Sequence, residues 1–386
     1  MPSRRVPEGH GPNAWTLRLA ARRSRREPLA DLTASNPSAL GLSPHVPAAA
    51  ALAAAGVVAY EPAPLGSLSA RAAVADYLAS RGLRVEAGDV VLTASTSESY
   101  LQLLRLLADP GETIAFPAPG YPLLEPLARA EGIRPRSYRL AWDGAWHLDR
   151  ESLVSAARGA RALVVVEPNN PTGSCLYASD RAFVESTAGQ HGCAIVADEV
   201  FGDHPWPGHE ALPSWLAEPR AVPTFVLGGL SKLCGLPQLK LGWIVAAGPE
   251  REREIALAGL EWLADLCLSV GGPVQQALPA LLELRHEFVP RARARLGENL
   301  GTLDALAGLR PEVSRLPGAG GWSAVLRVPA RRTAEDWALA LLDLGVAVHP
   351  GDFYEFDRGE HLVVSLIAAP DDVRAGCAAL AVLLRA

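Results

Sequence analysis

Cysteine is sparse in this sequence, and what there is does not form a pattern. Cys175, Cys193, Cys234, Cys267 and Cys377 are scattered, odd in number and without metal-ligand spacing. That excludes a disulfide framework and a cysteine-held metal, and it describes reduced thiols. The first 26 residues lack the apolar core of a secretory signal, and no apolar run is long enough to span a bilayer. A cytoplasmic protein without a membrane partner is the expectation. Like charges form no long block apart from Arg22, Arg23, Arg25 and Arg26. In a chain of net charge −6 that cluster reads as the solvated face of an amphipathic helix rather than a nucleic-acid arm. There is no internal repeat and no low-complexity linker. No G-x-G-x-x-G follows the first strand of the large domain, which argues against a dinucleotide-binding dehydrogenase.

What is present is a globular chain. Its 386 residues, 49% of them apolar, suffice for two domains and a large core. Residues 1–30 read as an arm and one basic amphipathic helix, 31–37 as a short strand entering a turn, and 46–56 as an alanine-rich helix. Three prolines and a glycine make 60–66 an extended loop. Helical spacing follows over 69–82. From Val90 onward strands alternate with helices: strands at 90–93, 113–116, 162–166, 194–197 and 224–227, the last three each preceded by a helical stretch. The uniformly apolar ALVVV and CAIVA segments suit strands buried on both faces. The fold class is therefore α/β, a mostly parallel sheet flanked by helices. Long helices follow at 250–268, 273–284 and 287–306. An α+β unit closes the chain, with strands at 323–328, 346–348 and 362–366. The expected division is an arm (1–45) packing with the small domain, a large α/β domain (46–272) and a small α+β domain (273–386).

In an open parallel sheet, ligands bind beyond the carboxyl ends of the strands. Five strand ends here carry Ser95-Thr96-Ser97, Tyr121, Asn169-Asn170, Asp198-Glu199, and Gly228-Gly229-Leu230-Ser231-Lys232. Lys232 sits between an apolar strand and a Gly/Pro-rich loop, where lost hydration lowers the pKa of an ammonium and makes a better amine nucleophile. Together these residues match the needs of a phosphorylated pyridine aldehyde. Hydroxyls and free N–H groups at a helix start hold a phosphate, with Lys240 adding charge. Tyr121 offers a flat face, Asp198 can keep a pyridine nitrogen protonated, Asn170 can donate to the ring oxygen, and Lys232 can condense with the aldehyde. Each piece also has a plain structural explanation: an N-cap, a turn, a surface cap, a core aromatic. Their joint occurrence on one sheet edge favours the site. Trp322 and the pair Trp142/Trp146 read as core packing in preference to a pocket lining.

The motifs PAPGYP (117–122), EPNNPTG (167–173), ADEVF (197–201) and GGLSKLCGLPQLKLGW (228–243) carry a resemblance. The chain resembles the class I/II aminotransferases of the pyridoxal 5'-phosphate (PLP) fold-type-I superfamily over nearly its whole length. The resemblance implies that Lys232 forms the Schiff base and shuttles protons, and that Asp198 pairs with the pyridine nitrogen. It assigns Asn170 to the ring oxygen, Tyr121 to ring stacking, and Ser95, Thr96 and Ser97 to the phosphate. Tyr60 resembles a tyrosine that reaches the phosphate of a second subunit, implying a homodimer with shared active sites. The implied reaction is a ping-pong amino transfer between an amino acid and a 2-oxo acid. Three departures stand out. Phe201 replaces the usual tyrosine beside the ring oxygen. Lys240 replaces a phosphate arginine, with Gly229 in place of a serine. In the stretch 361–365 a valine stands where the arginine that clamps the substrate carboxylate usually precedes a serine; His361, Gln238, Lys240 and an arginine elsewhere in the chain are the substitutes in view. These departures keep open a PLP-dependent lyase or another non-transaminating enzyme. A non-catalytic binding module is disfavoured by the joint presence of Lys232, Asp198 and Asn170.

Overall fold

The computed structural model describes residues 11–56 and 59–385, together with Ser3 and Arg5. Most of the first ten residues of the expected arm thus lie outside the described residues. Helix α1 (Ala14–Ser24) is capped by Asn13, whose side chain accepts from Thr16 N–H, and buries Trp15 and Leu19. The strand expected over 31–37 shrinks to β1 (Ala30–Asp31), since Asp31 turns its carboxylate onto Thr33 and bends the chain away. Helices α2 (His45–Ala55) and α3 (Leu68–Ser80) flank the extended proline-bearing loop.

The large sheet uses β2 (Val90–Thr93), β3 (Thr113–Ala118), β4 (Arg134–Trp142), β5 (Trp146–Leu148), β6 (Ala160–Val166), β7 (Ala194–Asp198), β8 (Thr224–Gly229) and β9 (Gly242–Ala247). Between them run α4 (Thr96–Leu107), α5 (Leu124–Ala130), α6 (Arg150–Ala157), α7 (Ala178–His191) and the single turn α8 (Leu230–Leu233). The strand order is β2-β9-β8-β7-β6-β3-β4-β5. The centre is parallel, while β9 and β5 run antiparallel to their neighbours. Alternate residues of one strand enter different cores: Leu163 and Val165 pack on one face of the sheet, Ala162 and Val164 on the other. This explains why these strands read as unbroken apolar runs. One expected helix is absent. Residues 199–223, before β8, are turns, because Pro205, Pro207, Pro213, Pro219 and Pro223 interrupt any helical run.

The remainder comprises α9 (Glu250–Asp265), α10 (Gly272–Glu283), α11 (Arg285–Leu309), β10 (Ser314–Arg315), β11 (Ser323–Val328), α12 (Ala334–Asp343), β12 (Val346–Ala347), β13 (His349–Pro350), β14 (Glu360–Ser365) and α13 (Pro370–Leu383). A small antiparallel sheet, ordered β10-β11-β14-β13, packs against α11 and α13. The arm joins this unit through Trp15 and Leu19 and through the parallel β1–β12 pair. Val274, Ala277, Leu278, Leu281 and Leu282 of α10 enter the core of the large sheet, whereas Phe288, Leu296 and Leu303 of α11 enter that of the small unit. Apolar periodicity defines a helix's buried face but not the core that receives it.

Candidate active site

Strands β2, β7 and β8 end on the same edge of the large sheet, and their extensions build the cleft. After β8 the chain passes Gly228 and Gly229 and turns at once into α8. A Cβ at Gly228 would collide with the indole of Trp243, and one at Gly229 would lie 3.1 Å from Gly242 Cα. Only glycine lets these backbones approach so closely. Leu230 and Leu233 anchor the single turn in the core and leave Lys232 to project. Its Nζ stands 4.7 Å from the ring centre of Trp322 and 5.4 Å from that of Phe201. Burial pulls this amine down from 10.5 to about 8, against the opposing pull of the Asp198 charge. Lys232 and Lys240 are the only lysines in the sequence.

Asp198 ends β7. One carboxylate oxygen accepts from Val200 N–H at 3.1 Å and the other from the Tyr100 hydroxyl at 2.9 Å. Among the described residues no cation touches it. Burial raises its pKa, offset in part by these two donors and by the charge of Lys232. A buried carboxylate in that state favours a cationic partner.

Beyond β2, Ser95 caps α4 by accepting from Glu98 N–H at 3.2 Å, and Glu98 returns its carboxylate to Ala94 N–H. Ser95 accepts in this cap, which leaves its hydroxyl proton free to donate. The Thr96 and Ser97 hydroxyls have no protein partner among the described residues. Gly242 closes the floor, since a Cβ there would lie 3.1 Å from both Ser95 C and Thr96 N. Helix α4 therefore presents donors, free hydroxyls and its positive end to an anion. Lys240, exposed and with φ +51°, stands in the loop leading to Gly242.

The other expected residues fall at differing distances from this centre. Asn170 Oδ1 accepts from the Ser323 hydroxyl at 3.2 Å, which leaves Nδ2 free to donate. Phe201 is buried and packs 5.4 Å from Trp322. Tyr121 follows Gly120, whose N–H bonds to Tyr354 O, and is 52% exposed. Tyr60, 78% exposed, is not brought to Lys232. It lines a separate cavity of about 640 Å³ with Leu92, Val270 and Gln275.

One proposed holder of a substrate carboxylate, His361, does not fit that role. His361 lies on the same face of β14 as Val363, yet it is buried, stacked on Phe356 at 4.4 Å, and lowered to about 4 by burial and the Arg327 charge. It is neutral near pH 7. Gln238 Oε1 accepts from the Ser38 hydroxyl at 3.2 Å, which leaves its Nε2 free to donate. The sequence reading missed three contributors. Tyr100 had a signal, because it stands one helical turn after Thr96. His204, whose Nε2 lies 2.8 Å from the Lys232 carbonyl oxygen, had none. Trp322 is core, as read, but is also the closest ring to the amine.

An amine held near 8, an unpaired carboxylate, an amide donor and an anion cradle together suit a phosphorylated pyridine aldehyde. Comparison with known proteins agrees. The family model "Aminotransferase class I and II" matches residues 28–380. Mouse tyrosine aminotransferase is 32% identical over 256 residues, covering 64% of this chain and 56% of its own length. The S-alkyl-thiohydroximate lyase of Arabidopsis thaliana is 32% identical over 228 residues, covering 56% and 48%. The chain thus spans about half the length of these curated relatives. Among solved structures, an alanine aminotransferase from Pyrococcus furiosus superposes with TM-score 0.85 at 20% identity, over 96% of this chain and 95% of that one. A Thermus thermophilus aspartate aminotransferase double mutant gives 0.84 at 24% identity, over 100% and 99%. These two establish the fold. With the family model matching most of its length, this chain belongs to the aminotransferase class I and II family, whose members use pyridoxal 5'-phosphate.

Proposed function

We propose that the protein is an aminotransferase that moves an amino group between an amino acid and a 2-oxo acid in two half-reactions, with Lys232 as the proton carrier. The observation that carries this reading is the juxtaposition of Lys232, Asp198 and the start of α4 on one sheet edge. When bound, PLP supplies an aldehyde that takes up amines and a cationic ring that stores the electrons of a carbanion. Lys232 removes the proton from substrate Cα in one half-reaction and returns one in the other; an amine near 8 suits both tasks. Asp198, oriented by Tyr100 and Val200, holds a proton on the ring nitrogen. Asn170 Nδ2 donates to the ring oxygen. Ser95, Thr96, Ser97 and the α4 N-terminus bind the phosphate, with Lys240 as a point charge lacking the fork of an arginine. Phe201 and Trp322 wall the amine with rings that donate no hydrogen bond to it. Tyr121 would offer its flat face to the cofactor ring. Tyr60, exposed and remote from Lys232, would serve a second copy of the chain in a cytoplasmic homodimer. No helix among the described residues is long and apolar enough to cross a membrane.

A second reading keeps the cofactor and changes the outcome to elimination. It is favoured by Phe201, by the valine in the stretch 361–365 and by the likeness to a lyase. Mixing the loaded enzyme with amino donors separates the two. A transferase accumulates the aminated cofactor and needs an oxo acid to turn over, whereas a lyase releases ammonia and an oxo acid without any acceptor.

A further inference from the structure

A second cavity, of about 390 Å³, lies on the seam between the β4–β5 hairpin of the large sheet and the small sheet. Its lining includes none of Lys232, Asp198, Asn170 or Trp322. Pro119 is part of the lining, and its carbonyl accepts from Asn169 Nδ2 at 3.3 Å. Nothing in the proposed reaction uses this cavity.

Its chemistry is of two kinds. Flat rings form one part: Trp142 and Trp146 meet at 5.3 Å, and Phe356 lies 6.2 Å from Trp146 while stacking on His361. Guanidinium groups form the other. Arg139 is matched by Asp149 at 2.6 Å and by Asp357 at 3.9 Å, which occupies both acidic groups of the lining. Arg327 and Arg358 have no carboxylate partner among the described residues. One further polar group is unmet. His361 is only 4% exposed, lines the cavity, and has a buried Nδ1 with no hydrogen-bond partner. Buried polar atoms left in that condition are uncommon and costly. The volume falls within the range of small-ligand pockets, which combine apolar walls with a few placed polar groups.

We propose that this seam is a binding site for a flat organic monoanion, an aromatic or heteroaromatic carboxylate. Its ring packs against Trp142, Trp146 and Phe356, and its carboxylate is held by Arg327 and Arg358 beside His361. Arginine is well suited to the task because its planar fork matches a carboxylate. Arg139, Trp142 and Trp146 come from the large sheet, whereas Arg327, Phe356 and His361 come from the small unit. Occupancy therefore ties the two units together and favours one relative position.

Titration calorimetry on the PLP-loaded protein with indole-3-acetate as probe tests this, with the cofactor absorbance followed in parallel. The expected result is saturable heat with no change in the cofactor spectrum. The neutral analogue indole-3-ethanol should bind at least about tenfold more weakly, and Arg327→Ala and Arg358→Ala should each weaken indole-3-acetate by about tenfold, the loss of one charged hydrogen bond. Both arginines are exposed, so the variants keep the fold. Absence of saturable heat at millimolar probe would overturn the proposal. So would heat that tracks a change in the cofactor spectrum and survives both substitutions, since the probe would then be in the Lys232 cleft.

Discussion

The imidazole of His204 donates from Nε2 to the carbonyl oxygen of Lys232 at 2.8 Å, and its ring meets Trp322 edge-on at 5.0 Å. A carbonyl only accepts, so Nε2 carries the proton and the buried, unpartnered Nδ1 is bare. His204 thus fixes both the backbone that presents the amine and one of the rings beside it. His204→Leu should cost about 1–3 kcal/mol of stability by leaving the Lys232 carbonyl unpaired. Urea unfolding measures that loss. A variant as stable as the parent would remove His204 from its supporting role.

Acid should weaken the fold through two histidines. Burial holds His204 and His361 at about 4, against 6.5 in an unfolded chain. Between those values the unfolded chain binds protons that the folded one refuses, so stability falls as pH drops from about 6.5 towards 4. Linkage sets the limit at about 3 kcal/mol for each histidine. Glu199 acts in the other direction. Buried with Ser214 and Trp215 N–H as its donors and raised to about 7, it is protonated in the fold at pH values where the unfolded chain has lost that proton. Its contribution is lost as pH rises from 4.5 through 7. His361→Phe should flatten the acid slope by up to one proton in unfolding experiments at pH 5 and 6; an unchanged slope would contradict the assignment.

The floor of the anion cradle admits a direct test. Gly242→Ala sets a methyl 3.1 Å from Thr96 N and Ser95 C, where a phosphate oxygen would approach the helix start. PLP affinity should fall by about tenfold or more, equivalent to one charge-assisted hydrogen bond. Equilibrium dialysis reads this. Unchanged affinity would move the phosphate elsewhere.

Restoring a phenol at position 201 addresses the electronics of the cofactor. Phe201 is buried against Trp322 and faces the amine, so Phe201→Tyr adds a donor beside the ring oxygen with little new volume. The pH midpoint of the bound cofactor's colour change should drop by about one unit, the worth of one hydrogen bond. A midpoint that stays or rises would show that residue 201 lies away from the ring oxygen.

Much of this was legible in the sequence, for physical reasons that also set the limits. The runs at β6, β7 and β8 could be read because both faces of the central sheet are buried, leaving no polar residue to blur them. That Lys232, Asp198 and Asn170 follow strands ending on one edge could be read because a parallel sheet brings its strand ends together. Strand β4 was missed: RPRSYRLAW is studded with arginines because its outer part is exposed. The core that receives α10 could not be read, because an apolar stripe does not name its partner. His204 comes from a proline-broken loop with no periodicity, and only the folded chain shows that it touches Lys232. Trp142 and Trp146 do pack against the core, yet the same rings line a cavity, a combination that spacing cannot reveal.

The central claim is that the amine of Lys232, and no other, holds the cofactor. A sequence with two lysines makes the test unusually clean. Borohydride reduction of the PLP-loaded protein, followed by peptide mass mapping, should place the phosphopyridoxyl mass on the Lys232 peptide and leave Lys240 unmodified. Lys232→Ala should lose both the yellow colour and the activity. A label on Lys240, or full activity in Lys232→Ala, would contradict the account.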